Sequence, residues 1–291
     1  MSLLVHDKEV AVSGRLLKTA GLRAEHYEHV TDPDAFCRGL KAAKVRADLF
    51  TFLQPVADRS VRFSFYSEND PISVMPITTY EHWWNKQING KTRNMIRKAE
   101  KAGVQLRVCE LTDDFVKGIQ GIYNESPLRQ GKRFLHYGKD LETLKRDHLS
   151  YVEISDFVGA FHKDEMIGFI KLVHTEGMSH LMQIISKIDE RDKAPTNALI
   201  ARAVELCAAR GASLLHYGLW SARGLGEFKK HHAFDRYDLA RYFVPLNAKG
   251  RLMLRFKMHH KLSERVPEKW VDALAEVRSK WNTFRYGARK A

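Results

Sequence analysis

The stretch MSHLMQIISKIDERDKAPTNALIARAVELCAAR, residues 178–210, decides the fold. Its first third, Met178 to Ile188, reads as a long apolar strand. Ala194-Pro195-Thr196 then opens a helix that runs to Arg210 and stops at Gly211. Proline suits the first helical turn, where no N–H is needed, and glycine suits the stop. Leu199, Ile200, Ala203, Val204, Leu206 and Cys207 give that helix a wide apolar face. A strand feeding a helix start aims free N–H groups and a partial positive charge at whatever lies beyond the strand, an arrangement suited to a pyrophosphate. Lys193 would add a cation and Thr196 a hydroxyl. The same spacing also describes an ordinary strand-to-helix connection with Thr196 as its cap.

Working outward, Tyr151–Ile154, Phe157–Phe161 and Met166–His174 read as strands, separated by turns such as Thr175-Glu176-Gly177. With Met178–Ile188 they form an antiparallel meander. Downstream come a strand at Ser213–Tyr217, a glycine-bearing loop, a short helix near Gly226–His232 and a strand at Arg236–Val244. Upstream, helices are expected at Trp83–Lys101 with Gly103 as stop, after a Thr112 cap with Phe115, Ile119 and Ile122 inward, and at Asp140–Leu149. Val61, Phe63 and Phe65 alternate as a strand, Glu68 to Pro71 reads as a turn, and Ile72–Ile77 as a second strand, placed at an edge or end by Pro76. The fold class is α/β (α+β): a mixed, mostly antiparallel sheet flanked by helices. Three segments are expected: 1–103, ending in a basic helix; 104–248, the main domain; and 249–291, a basic amphipathic helical tail.

The 291 residues are 44% apolar and 29% charged, which excludes a wholly disordered chain. No run of 18 apolar residues reads as a membrane span, and Met1 to Ala20 lacks a signal peptide's apolar core. Cys37, Cys109 and Cys207 form no pairing pattern, so a reducing cytoplasm is expected, with the inner membrane face as a peripheral location. The net charge of +13 is concentrated. Residues 86–101 hold six Lys+Arg against one acid, and residues 249–291 hold twelve against four. These segments suit either tRNA or an anionic membrane surface, or are solvated helix faces. In the tail, Arg251, Arg255 and His259 recur at helical spacing, as do Trp270, Ala273, Leu274, Val277, Trp281 and Phe284. Phosphate-loop, dinucleotide and HExxH motifs are absent. His231-His232 and His259-His260 are neighbours, which point ~100° apart on a helix, so no metal site is expected.

This order of elements resembles the GNAT acyltransferase superfamily. Three stretches narrow the resemblance to the FemAB-like branch, which includes peptidoglycan-bridge aminoacyltransferases. They are Trp83-Trp84 with Thr92-Arg93-Asn94 through Val104, then Pro195–Gly211, then Gly224-Leu225-Gly226-Glu227-Phe228-Lys229-Lys230. The resemblance covers residues 83–246 well and 45–82 weakly, so the N-terminal GNAT-like half would be truncated. It implies transfer of an acyl or aminoacyl group to an amine. In place of the superfamily's glycine-bearing loop stands Arg191-Asp192-Lys193-Ala194-Pro195-Thr196, with no glycine.

The resemblance implies a donor cradle of Ile184, Ile185 and Ser186 on the strand, then Lys193, Ala194, Pro195, Thr196 and Asn197, with Lys229 meeting a nucleotide-bearing donor. His216 or Tyr217, which face opposite ways on one strand, would supply base or acid. The long polar segment 124–139 would recognise the acceptor: Glu125 as ammonium acceptor or base, Arg129 and Arg133 as anion forks with Gln130 between them, and His136 and Tyr137 as stacking surfaces. The expected activity is N-acyl transfer from acyl-CoA, acetyl-CoA above all, to an amine on an amino acid, amino sugar or cell-envelope precursor. An aminoacyl-tRNA donor is the alternative, and a non-catalytic RNA- or membrane-binding protein the second. The oligomeric state stays open.

Overall fold

A computed structural model describes residues 3–56, 62–221, 223–260 and 280–283. In chain order the strands are β1 (Leu3–Val5), β2 (Lys8–Ser13), β3 (Thr19–Leu22), β4 (Leu49–Leu53), β5 (Tyr66–Pro76) and β6 (Gln105–Cys109). They continue as β7 (Leu128–Arg129), β8 (Lys132–Arg133), β9 (Ser155–His162), β10 (Glu165–Thr175), β11 (Met178–Ser186), β12 (Leu214–Leu219) and β13 (Asp235–Pro245). The helices are α1 (Pro33–Ala42), α2 (Tyr80–His82), α3 (Gly90–Lys101), α4 (Asp113–Tyr123), α5 (Leu141–Leu149), α6 (Pro195–Ala209), α7 (Arg223–His231) and α8 (Ala248–Arg255).

The chain forms two compact units: residues 1–71 with 237–271, and residues 72–236 with 272–291. These divisions differ from 103/104 and 248/249. Residue 248 stays with the first unit, where β13 pairs antiparallel with β4. Residue 103 lies inside the second, where α3 packs on α6.

In the first unit the sheet order is β1-β2-β3-β4-β13, then the start of β5, with β3 and β4 parallel. Phe36, Phe50, Phe52 and Tyr242 stack in succession beneath α1, with centroids 5.0, 5.4 and 5.1 Å apart. Strand β5 runs unbroken through the expected turn at Glu68–Pro71. The reason is Asp70: its carboxylate accepts from Arg241 Nε and Nη2 at 2.9 and 2.7 Å, and so does not close a turn on its own backbone. Residues 63–65 are bent rather than extended, and Val61 lies outside the described residues.

In the second unit the order is the end of β5, then β12-β11-β10-β9-β6. Every pair there is antiparallel except β11 with β12. Helices α3 and α6 cover one face through Ala99, Ala198, Leu199, Ala203 and Val204. Helices α4 and α5 cover the other through Phe115, Ile119, Ile122 and Leu144. Gly168 on β10 permits α6 to lie close, since a Cβ there would stand 3.2 Å from Leu199 Cδ1. The expected cap Thr112 bonds Phe115 N, Asp140, read as the first residue of its helix, instead caps it by accepting from Thr143 N, and Gly103 takes φ +78°.

The expected helix 83–101 is broken. A π turn at Trp83–Gln87 ends at Ile88, and Asn89 caps a new helix by accepting from Thr92 N. Residues 152–154 form a 3₁₀ turn rather than a strand. The polar segment 124–139 contains the small hairpin β7–β8, turned through Gln130 and Gly131, both at positive φ. The expected stripe at Trp270, Ala273, Leu274, Val277 and Phe284 lies outside the described residues; Trp281 sits on a short helical run, 280–283. Among the described residues no helix is long and apolar enough to cross a membrane.

Candidate active site

The parallel strands β11 and β12 pair only at Met178–His180 with Leu214–His216. Beyond that point both strands carry an extra residue. On β11, Met182 falls between Leu181, opposite Leu172, and Gln183, opposite Lys171. On β12, register shifts between His216 and Leu219, where Gly218 takes φ +60°. Bulges bend a strand and increase its twist. The two strands therefore fork, and a cleft of about 590 Å³ opens between them.

Ile184, Ile185 and Ser186 line one wall of this cleft, and Tyr217 another. Ala194, Pro195, Thr196, Asn197 and Arg191 line it from the start of α6, and Arg129, Gln130 and Phe134 from the hairpin region. Gly224, Leu225 and Phe228 of α7 complete it. No Asp, Glu or His is among these lining residues.

Backbone direction follows from the ladder. Lys187 N donates to Ile167 O, and Ile185 lies opposite Phe169 in the same register. Hydrogen-bonding direction alternates along an antiparallel strand. Ile185 thus turns to β10, while Ile184 and Ser186 turn their N–H and C=O groups toward the open fork. The Ser186 carbonyl is taken by Arg129 Nη1 at 2.8 Å.

The start of α6 is set by Ala194, which holds φ 54°, ψ 39° and offers no side-chain cap. Thr196 is not the cap: its hydroxyl bonds Ser186 Oγ at 2.8 Å. Most amides of the preceding loop are engaged. Ile188 N and Asp189 N donate to the two Glu125 oxygens at 2.6 and 2.9 Å. Arg191, Lys193 and Ala194 N–H groups bond Ile188, Glu190 and Arg191 carbonyls. Lys193 pairs with Glu190 at 2.8 Å and does not line the cleft; Arg191 does.

Glu125 and Arg129 form one unit, each side chain only 10% and 12% exposed. Arg129 Nη2 reaches Glu125 Oε2 at 3.1 Å and Ile122 O at 2.8 Å, and its guanidinium lies 5.0 Å from the Phe134 ring. Both Glu125 oxygens are thus held by backbone amides and by Arg129. This carboxylate fixes the loop after β11 and is not placed in the cleft as a base.

Tyr217 lines the cleft with its ring packed on Phe234 at 5.3 Å. Its hydroxyl has no hydrogen-bond partner among the described residues, and burial pushes its pKa up to about 12. His216 points the other way, is buried, and meets His180 with Nδ1 atoms 3.2 Å apart. Lys229, expected at a donor, is 2% exposed and turned inward. Its ammonium donates to Tyr217 O and Leu219 O at 2.7 Å each and to Ser73 Oγ at 3.1 Å. It holds the bulged end of β12, and the ammonium stands 4.5 Å from the centre of the Tyr217 ring. His136 packs on Tyr123 at 4.9 Å, Tyr137 and Arg133 are exposed, and none of the three lines the cleft.

The Trp-Trp and Thr-Arg-Asn stretches belong to the same construction. Trp83 Nε1 donates to His232 O at 3.1 Å and Thr92 Oγ1 to His231 O at 2.9 Å, so both satisfy carbonyls at the end of α7. Phe134, Leu225, Phe228 and Arg191 are cleft residues that the sequence analysis did not single out for the site. Arg191 had a signal, since it opens the segment standing in the glycine loop's place.

Lys229 shares an uncommon state with Lys171, which donates to His148 O and Ser150 O from 1% exposure. Burial lowers both pKa values to about 8. Between pH 8 and the ordinary lysine value near ~10.4, each of these two lysines therefore binds more protons in the unfolded chain than in the folded one. Their contribution to stability rises with pH across that window, against the opposite contribution of the buried Cys37 and Cys207 thiols, which burial pushes up to about 11. The slope of melting temperature against pH from 8 to 10 should be more positive in the wild type than in Lys229→Met and Lys171→Met. An equal slope in all three would refute the lowered values.

No family model matches the chain, and no curated protein matches its sequence. Solved structures do match in shape. FemX aligns with a TM-score of 0.59 at 11% identity, over 81% of this chain and 84% of its own. The C-terminal domain of an Agrobacterium fabrum protein assigned as a lysylphosphatidylglycerol synthetase gives 0.58 at 13%, over 87% and 86%. L-PGS from Bacillus licheniformis gives 0.56 at 14%, over 87% and 88%. At such identities the likeness speaks to architecture, and the forked parallel pair with its crossover helix, in a mostly antiparallel sheet, gives this chain a GNAT/FemAB-like fold.

Proposed function

We propose that the forked cleft transfers an aminoacyl group from an ester donor of the aminoacyl-tRNA type to an amine. The observation that carries the reading is the fork itself: outward N–H groups on Ile184 and Ser186 share one cleft with a protonated Tyr217 hydroxyl that has no hydrogen-bond partner among the described residues. The amine nitrogen attacks the carbonyl carbon, and the developing oxyanion is met by an Ile184 or Ser186 N–H. The carbon–oxygen bond then breaks. Tyr217 gives its proton to the departing oxygen and regains one from the new ammonium, since no carboxylate or imidazole lines the cleft to take it.

Two features favour an ester over a thioester. An alkoxide is far more basic than a thiolate and needs the proton that a phenol at about 12 still holds at neutral pH. A CoA pyrophosphate calls for a nest of open amides, whereas the loop's amides are largely engaged by Glu125 and by one another. A single phosphate at Arg191 and the start of α6 suits this loop better. Shape similarity to a domain named for lysylphosphatidylglycerol synthesis supports an aminoacyl group. Acyl-CoA remains the second reading, favoured by the absence of any side-chain cap on α6.

Calorimetric titration separates the two. A non-hydrolysable 3′-aminoacyl-adenosine 5′-phosphate should bind in the micromolar range and lose about tenfold in Arg191→Ala, roughly 1.4 kcal/mol, while free CoA and acetyl-CoA give no heat. Micromolar acetyl-CoA binding, with none for the adenosine mimic, would establish the acyl-CoA reading instead.

A further inference from the structure

Outside the cleft, one cluster in the first unit gathers a carboxylate and two imidazoles. Glu68 on β5 meets His259 and His260, which follow α8. Both Nε2 atoms stand 3.0 Å from Glu68 Oε1. One potential ligand atom from each residue lies within 4.8 Å of the others.

Consecutive histidines converge here because they are not helical neighbours. Helix α8 ends at Arg255, and Lys257 takes φ 53°, which reverses the chain and brings the two rings side by side, centroids 4.3 Å apart. The expectation of a ~100° separation applied to a continuous helix and does not hold for this turn.

The cluster is also braced. The His259 side chain is 3% exposed, and its ring packs against Phe243 at 4.6 Å and Tyr66 at 5.9 Å. Its Nδ1 is buried and has no hydrogen-bond partner among the described residues, where Glu68 is the ring's polar contact. Tyr66 donates to Glu68 Oε1 at 2.6 Å and fixes the carboxylate. Such outer-shell bonds orient ligands in metal sites. Ligands at ~2.0–2.2 Å from a tetrahedral zinc stand roughly 3.3–3.6 Å apart; the two Glu68–histidine distances of 3.0 Å fall a little inside that spacing, and all three donor atoms lie within 4.8 Å of one another.

We propose that Glu68, His259 and His260 bind a divalent transition cation of the zinc type, clipping the chain after α8 to strand β5. Two imidazoles and one carboxylate form a borderline donor set that suits zinc over magnesium or calcium. The His260 and Glu68 side chains are 30% and 25% exposed, so a cation has access. Among the described residues no other His, Cys, Asp or Glu joins the cluster, which leaves a coordination position for water.

The full chain, stripped with chelator and dialysed, is titrated with zinc by calorimetry and with cobalt(II) by visible absorption. One equivalent of zinc should bind in the micromolar range or tighter, and cobalt should give the intense bands of a four-coordinate site. His260→Ala and Glu68→Gln should each weaken zinc binding at least tenfold. Zinc should raise the melting temperature of the wild type but not of His260→Ala, whose own metal-free melt, matching that of the metal-free wild type, shows that it folds. Absence of stoichiometric binding, or binding unchanged in both variants, would overturn the proposal and leave a hydrogen-bonded His–Glu contact. The outcome is independent of the cleft's reaction.

Discussion

Tyr217→Phe should lower kcat by about 10²–10⁴-fold, the range for loss of one proton-transfer group, with KM and melting temperature nearly unchanged. The separation of effects follows from the geometry. The ring's packing on Phe234 and its 4.5 Å approach to the Lys229 ammonium survive the substitution. The hydroxyl makes no protein hydrogen bond among the described residues, so its removal strands no partner. Single-turnover rates measured with an activated ester carrying a good leaving group should recover most of the loss, because such a group departs without a proton. A variant within threefold of wild type on an ordinary ester would remove Tyr217 from the mechanism.

Glu125→Gln should cost stability first and activity as a consequence. The substitution leaves Arg129, with 12% side-chain exposure, without its anion. Breaking a buried pair from one side typically costs about 3–5 kcal/mol, and the exposure here points to the lower end. It also weakens the hold on Ile188 N and Asp189 N. Urea melts read the loss directly. Glu125→Gln combined with Arg129→Met should regain part of it, since the stranded charge is gone. Were Glu125 a general base, Glu125→Gln would melt like the wild type and lose only rate; that pattern would defeat the assignment made here.

The legible parts of the molecule are those where local chemistry and tertiary context agree. Thr112 and Gly103 do what a cap or a stop residue does anywhere. The β9–β11 meander and α6 followed from apolar runs between turn residues, and they carry seven of the residues expected at the site, Ile184–Ser186 and Ala194–Asn197, into one cleft. Strands β1 to β4 escaped because they are only three to six residues long, and β2 is buried only at Val10. Asp70-Pro71 looked like a turn because Arg241, its partner, lies 171 residues away. Lys229 and Glu125 have side chains that suit a donor or a base, and only the fold reveals that each is consumed by backbone groups. His259 and His260 misled for a similar reason, since a single left-handed residue, Lys257, changes their relative direction.

The bond from Glu125 to Ile188 and Asp189 spans 63 and 64 positions of chain. Contacts between distant segments carry the entropy of closing the loop between them, and they form late. Helix α4, which leads to Glu125, must therefore dock before the turn that opens α6 acquires its final shape. The order has a practical corollary. A change that loosens α4, such as a bulkier residue at Gly118, where a Cβ would meet Met166 Cε at 2.5 Å, should blur the donor end of the cleft while the sheet is still intact. Hydrogen exchange at Ile188 and Asp189 would then quicken ahead of global unfolding, making those two amides early reporters of a chain that is folded but not yet competent.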